Sequence, residues 1–322
     1  MEGFDPKFED PPAFILGITH EIWEGRGVET LHDYYSPQIP VRSPDGVVIG
    51  NEAVIDATWA TLAEFPDRQL LGEDVIWSDD GQGGFLSSHR ILSTATHGSD
   101  GIYGAATGTK LAYRVIADCA ARQNVIYDEW LIRDQGAIVR QLGIDPKAFA
   151  AAQIDAEGGP EQARHPFSPE HDVVGPYRGT GNDHAVGRRY EEGLALVAGG
   201  DAAAVERTYD RAAHLEIPGG GSAHGWAGAA SFWSGLAASF PEATFTAHHR
   251  IGRDDPGLGE RAAIRWSLDG VHAGRGRFGE PSGASVHVMG ISHAEFGPAG
   301  LRREWVLFDD TAVWKQILLA TG

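Results

Sequence analysis

Asp118 sits where chemistry is most clearly invited. It stands inside Val115-Ile116-Ala117-Asp118-Cys119-Ala120-Ala121, an apolar run of strand character. An ionised carboxylate is costly to bury there unless something pairs with it or uses it. Desolvation raises a carboxyl pKa toward neutrality, the range a general base needs to take a proton from an activated C–H. The structural alternative is a strand-end carboxylate bonded to a backbone amide or paired with Arg90 or Arg114. His97 lies one predicted strand earlier. Beside a carboxylate, an imidazole polarises a carbonyl or shuttles a proton. His89, eight residues before His97, falls on the same strand face. Both also fit as half-buried structural histidines.

Arg90, Tyr34, Trp59 and Tyr103 are further candidates for contacting a substrate, the three aromatics at the mouth of a pocket, although aromatics at such spacing serve a core equally well. Cys119 alternates with Asp118 and points to the opposite face, as a buried filler rather than a nucleophile. No metal and no cofactor are expected. Among the histidines, His248-His249 and His287 with His293 form no His-Glu-x-x-His pattern. Adjacent strand residues face opposite ways, so His248 and His249 do not chelate together. Gly219-Gly220-Gly221 lacks the Lys-Ser/Thr that completes a phosphate loop.

These residues need a scaffold, and the chain repeats one. At an offset of 175 residues Tyr34 meets Tyr209, Gly50 meets Gly225, and Phe65-Pro66-Asp67 meets Phe240-Pro241-Glu242. His97 meets His272, Asp118 meets His293, and Glu129-Trp130 meets Glu304-Trp305. Ordered matches of Gly, Pro, Trp and His mark two tandem copies. In the first, Phe14, Ile18 and Ile22 predict a helix over 12–24; others follow over 28–35 and 51–64, with a turn at Ser43-Pro44-Asp45-Gly46. Strands are predicted over 70–78, 84–97, 109–122 and 125–134. Helices followed by a run of strands imply an α+β class. We expect two tandem cone-shaped domains, each a curved antiparallel sheet with helices on its concave face. The copies span 1–145 and 188–322. Residues 146–187, with five prolines and many charges, are read as a linker without helix or strand, either draped over a domain or mobile.

A formal net charge of -19 argues against nucleic acid and anionic membranes as partners. No apolar run is long enough to span a membrane, and the N-terminus lacks the pattern of a signal peptide. One cysteine forbids an intrachain disulfide. The plain expectation is a cytoplasmic protein with a small-molecule substrate.

The Pro-Asp-Gly turn, Gly-x-Glu-Ala, Phe-Pro-Asp, Thr-His-Gly at 96–98 and Tyr-Gly-x-x-Thr-Gly at 103–108 resemble SnoaL-like polyketide cyclases of the nuclear transport factor 2-like superfamily. The hairpin from Asp118 to Trp130, with Ile-x-x-Glu-Trp, resembles that family's closing hairpin. The resemblance implies a cavity between helices and concave sheet. In it, an acid at the position of Asp118 relays the proton of an aldol-type ring closure and the His97 position faces the same cavity. Gln123-Asn124 departs from the usual Asp-Gly turn, and His293 replaces the acid in the second copy.

The expected function is a cofactor-independent cyclase, isomerase or dehydratase acting on a small carbonyl compound. The alternatives are a binding protein without turnover and a hydrolase of an ester or epoxide. The copies are expected to pair as an intrachain pseudo-dimer, with a homo-oligomer also open. The two pockets are expected to differ: the second would hold His272 and His293 beside Trp266 and Met289 and lack the acidic base.

Overall fold

The computed structural model describes residues 1–322, which divide into two compact units. In the first, Asp10 caps helix α1 (Pro11–Thr19) by accepting from the Ala13 amide at 2.7 Å, with Pro11 and Pro12 opening the first turn. A π-helical turn, His20–Glu24, extends it. A 3₁₀ turn (Val28–Thr30) and α2 (Leu31–Tyr34) precede a short hairpin, β1 (Pro40–Ser43) and β2 (Gly46–Ile49). Then come α3 (Asn51–Glu64), β3 (Gln69–Asp79), β4 (Gly84–Thr96), β5 (Lys110–Arg122) and β6 (Val125–Arg133). The six strands form one sheet in the order β2-β1-β6-β5-β4-β3.

Helix α4 (Gln135–Gln141) closes the first copy, and α5 (Pro146–Ala156) follows. The second unit repeats the plan. It contains α6 (Ala185–Ala198), α7 (Ala202–Thr208), β7 (Tyr209–Ile217), β8 (Gly221–His224), α8 (Gly225–Ser239), β9 (Thr244–Arg253), β10 (Arg261–Val271), β11 (Ser285–Gly297), β12 (Gly300–Leu307) and α9 (Asp310–Thr321). Its sheet order, β8-β7-β12-β11-β10-β9, copies the first strand for strand. Each unit is an α+β cone with its helices packed on the concave sheet face.

Two expectations are corrected. The sheets are mixed, not antiparallel: β1 runs parallel to β6, and β7 parallel to β12. Strand β1 has four residues and β2 four, too few to display an alternation that sequence could reveal. The segment 146–187 is also neither bare nor featureless. Asp145 caps α5 by accepting from Lys147 and Ala148, Pro146 takes the first turn, and Phe149, Ala150 and Ile154 are buried. Lys315 of α9 donates to Glu157 at 2.8 Å, tying this stretch to the second unit.

Residues 167–179 belong instead to the first unit. There Arg42 donates to Asp128 at 2.6 Å and to the Val173 carbonyl at 2.8 Å, and the Tyr177 amide donates to Asp128 at 2.9 Å. Charged strand residues thus fasten a polar segment that no periodicity announces.

The strand register settles which side chains face inward. Cys119 pairs with Ser87 and Glu129, and Ala117 with His89 and Leu131. Cross-strand partners share a face. Val75, Phe85, Ala117, Cys119 and Ala121 pack with Phe14, Ile15 and Ile18 of α1 and Ile22 just beyond it, so this is the concave face. The alternate row (Ser88, Asp118, Trp130, Arg42) belongs to the face turned away from the helices.

Candidate active site

Asp118 is therefore not in the cone. It is buried on the opposite sheet face, paired across the strands with Ser88 and Trp130. His293 takes the same place in the second unit, between Ala263 and Trp305, and Met289 shares that face. The expected partnership of Asp118 with His97 fails on distance as well. The His97 amide donates to the Thr109 carbonyl at the hairpin's far end, while Asp118 pairs with Ser88. Nine residues of strand, about 30 Å, separate the two positions. The same register separates His272 from His293.

His97 and His272 are matching clasps. His97 Nδ1 bonds Thr107 Oγ1 at 3.1 Å, and its ring lies between Phe65 and Tyr103. His272 Nδ1 bonds Ser282 Oγ at 2.9 Å beside Phe240. Tyr34 does not line a mouth; its hydroxyl donates to Glu21 and accepts from Lys7, holding the N-terminal segment. Trp59 is 45% exposed on α3, and Arg90 bonds Glu73 away from the concave face. Trp266 is wholly buried in the second core. Two expected residues do reach the concave side of the first unit: His89, and Tyr103, whose hydroxyl bonds Arg133.

The concave face brings together groups that were not singled out. Glu129 on β6 sits beside Cys119 and accepts a hydrogen bond from the Tyr35 hydroxyl at the end of α2. Its Oε2 is buried with no hydrogen-bond partner. Burial pushes the carboxyl up to about 7; the Tyr35 bond opposes this and the Asp128 charge adds to it. One row along, His89 bonds Ser87 Oγ at 3.3 Å through Nδ1, and burial lowers its pKa to about 4. Neutral imidazole and poised carboxyl thus share one surface. Burial also raises the Cys119 thiol well above its ordinary value, so it is inert at neutral pH. The half-buried Trp23, Tyr35, Val41, Val54, Trp77 and Leu131 border this interior.

In the second unit Glu304 occupies the equivalent position, also raised to about 7 by burial. Here both oxygens are used: Tyr190 donates at 2.8 Å and Tyr209 at 2.7 Å, while Trp233 donates to the Tyr209 hydroxyl at 2.8 Å. A separate cavity of about 860 Å³ in the first unit is lined by Asp80, Arg122, Gln123, Tyr127 and residues of 174–179, and holds none of the concave row. No group of three or more His, Cys, Asp or Glu is placed to hold a metal ion. No helix is long and apolar enough to cross a membrane.

Two tandem cones of mixed six-stranded sheet with inward helices define the class of this protein. Residues 188–305 match the SnoaL-like domain family, and the second unit is a SnoaL-like domain. The first unit shares its topology. IdmH from Streptomyces antibioticus is 22% identical over 42% of this chain and all of its own, with a TM-score of 0.37. A SnoaL-like polyketide cyclase from Agrobacterium tumefaciens is 19% identical over 42% of this chain and 98% of its own, TM-score 0.33. TsrD from Streptomyces laurentii is 16% identical over 42% and 97%, TM-score 0.36. No curated protein matches the chain.

Glu129 carried one signal in the sequence: it is matched by Glu304 in the repeat, inside a strand where carboxylates are rare. Asp118 drew attention because it interrupts an apolar run; Glu129 follows Tyr127-Asp128 and looks like part of a polar rim.

Proposed function

We propose that the first unit is an acid/base enzyme of the cyclase, isomerase or dehydratase kind, acting on a small carbonyl compound in its cone, with Glu129 as the proton acceptor and donor. The observation that carries this reading is the buried Glu129 carboxyl, raised to about 7 and with one oxygen unpartnered. A base poised there is half ionised near neutrality, so it removes a proton and returns it in one turnover. His89, neutral because burial lowers its pKa to about 4, is the donor that polarises the carbonyl oxygen. A carbanion next to a carbonyl is the common start of ring closure, double-bond migration and dehydration. The description of one similar structure as a polyketide cyclase points to the first of these. The second unit, with Glu304 fully bonded, serves as a packed, non-catalytic partner.

Deuterium exchange from D2O into a panel of 1,3-dicarbonyl compounds, followed by NMR, tests this. Glu129→Gln should slow exchange about 10²–10⁴-fold, with Asp118→Asn and Glu304→Gln staying within about threefold of wild type. The rate should rise with pH through about 7, as Glu129 ionises. Undiminished exchange in Glu129→Gln overturns the assignment.

A further inference from the structure

We propose that the concave face of the first unit also holds a carboxylate subsite, built by Arg68 and Arg133, so that its substrate carries an acid group remote from the carbon that Glu129 deprotonates. The proposal rests on the reading above only for the word substrate.

Arg68, in the turn between α3 and β3, is 3% exposed. Its Nε donates to Ser93 Oγ at 3.1 Å, and its guanidinium lies 4.8 Å from the Trp23 ring centre and 5.9 Å from that of Tyr113. Nη1 is buried and makes no hydrogen bond. Ser93 and Tyr113 are cross-strand neighbours on the concave face. Arg133 stands on the adjoining row, opposite Val115, its guanidinium bonded to the Tyr103 hydroxyl. The two guanidinium charges are near enough to repel, and burial with that repulsion pulls Arg68 down to about 10. Asp45 lies near Arg133, and no carboxylate pairs with Arg68. The Tyr113 hydroxyl lies against Arg68 and Ser93, a third polar group in the same cluster.

A buried cation without a counter-charge, as Arg68 is, is costly, and a second cation nearby adds to that cost. The fold does not require them. At the corresponding positions the second copy has Ala243 for Arg68, Leu268 for Ser93, Val288 for Tyr113, Phe308 for Arg133 and Phe278 for Tyr103. Five polar groups are present in one cone and absent from the other, which folds on the same topology. A carboxylate supplies the missing charge and accepts from the guanidinium fork. Arg133 is four residues from Glu129 along β6, about 13 Å between Cα positions. That places the acid group at the far end of the substrate from the reacting carbon.

Calorimetric titration of the full chain with benzoate, phenyl phosphate and benzamide tests the subsite. Benzoate should bind best, with the isosteric amide at least about tenfold weaker. Arg68→Met should weaken benzoate roughly 30-fold and leave benzamide unchanged, with Arg68→Lys restoring part of the difference. Arg133→Gln gives the same comparison if Arg68→Met does not fold. Glu129→Gln should bind benzoate as wild type does, so undiminished exchange in that variant would sink the acid/base reading and leave the subsite standing. Equal binding of acid and amide, tighter binding of phenyl phosphate, or wild-type benzoate affinity in Arg68→Met overturns the proposal.

Discussion

The two cones share a frame and differ in what fills it. In the first, the concave rows read Ser87, His89, Ile91 and Ser93 on β4 against Cys119, Ala117, Val115 and Tyr113 on β5. In the second, the same rows read Ala262, Ile264, Trp266 and Leu268 against Ala294, Ser292, Gly290 and Val288. Ser87, His89, Ser93 and Tyr113 have become aliphatic, while Ala117 has gone the other way, to Ser292. Size has moved across the strand pair too: Ile91 opposite Val115 becomes Trp266 opposite Gly290. A Cβ on Gly290 would lie 2.2 Å from the Trp266 ring, so the glycine is what admits the indole. Trp266, Trp233, Phe278 and Phe308 are then wholly buried, and Trp266 Nε1 donates to Ser292 at 2.9 Å. One copy keeps buried polar groups with spare bonding capacity; the other uses its interior for stability. Buried polar groups and close packing compete for one volume, and the two copies resolve that competition differently.

The largest expected effect on stability is in the second core. Trp266→Ala should cost about 3–5 kcal/mol by leaving an indole-sized void under Gly290. The equivalent Ile91→Val in the first cone should cost only about 1 kcal/mol. Urea denaturation of both variants checks the contrast, and a cost near zero for Trp266→Ala would erase it.

Next in size is a pH effect. The folded carboxyl of Glu304 holds its proton up to about 7, against an ordinary value of 4.5. Between those values the folded chain binds more protons, so stability should fall as pH rises through the window and level off above it. The shift is worth on the order of 3 kcal/mol, and Glu304→Gln should flatten that part of the profile. Glu129→Gln should remove a similar share, since the carboxyl it replaces is also raised to about 7. A profile unchanged by either variant would mean that neither carboxyl is held protonated.

The smallest of the three sharpens the size swap. Gly290→Ala should cost roughly 1–3 kcal/mol through collision with the indole, and Trp266→Leu should relieve it. Additive losses in the double variant would show that the pair is not coupled.

Much of the frame was legible. Helix α3 lies at 51–64 as its apolar spacing predicts, and β3 to β6 fall within a residue or two of the predicted strands. Parity was not legible: Ile116 and Ala120 flank Asp118 on its face, while Ala117 and Ala121 flank Cys119 on the other. With both faces apolar, alternation cannot say which one looks at the helices. The distance between His97 and Asp118 was legible in principle. A hairpin that pairs Thr96 with Lys110 must pair Ser88 with Asp118. The proposed carboxylate subsite left a fainter trace, as positions where the repeat fails in one chemical direction. A search for matches passes over those.

The path of the chain between the copies bears on how the protein is made. Helix α5 is built into the second unit, residues 167–179 return to the first, and residue 180 starts the second again. No single cut therefore releases either copy intact. A ribosome that has delivered residue 145 has made every strand of the first sheet, but not the segment that completes the buried Arg42–Asp128 pair. During synthesis that arginine and aspartate wait for residues 172–177, and α5 emerges before any of the helices and strands it packs with. The order of inheritance, copy after copy, is not the order of completion.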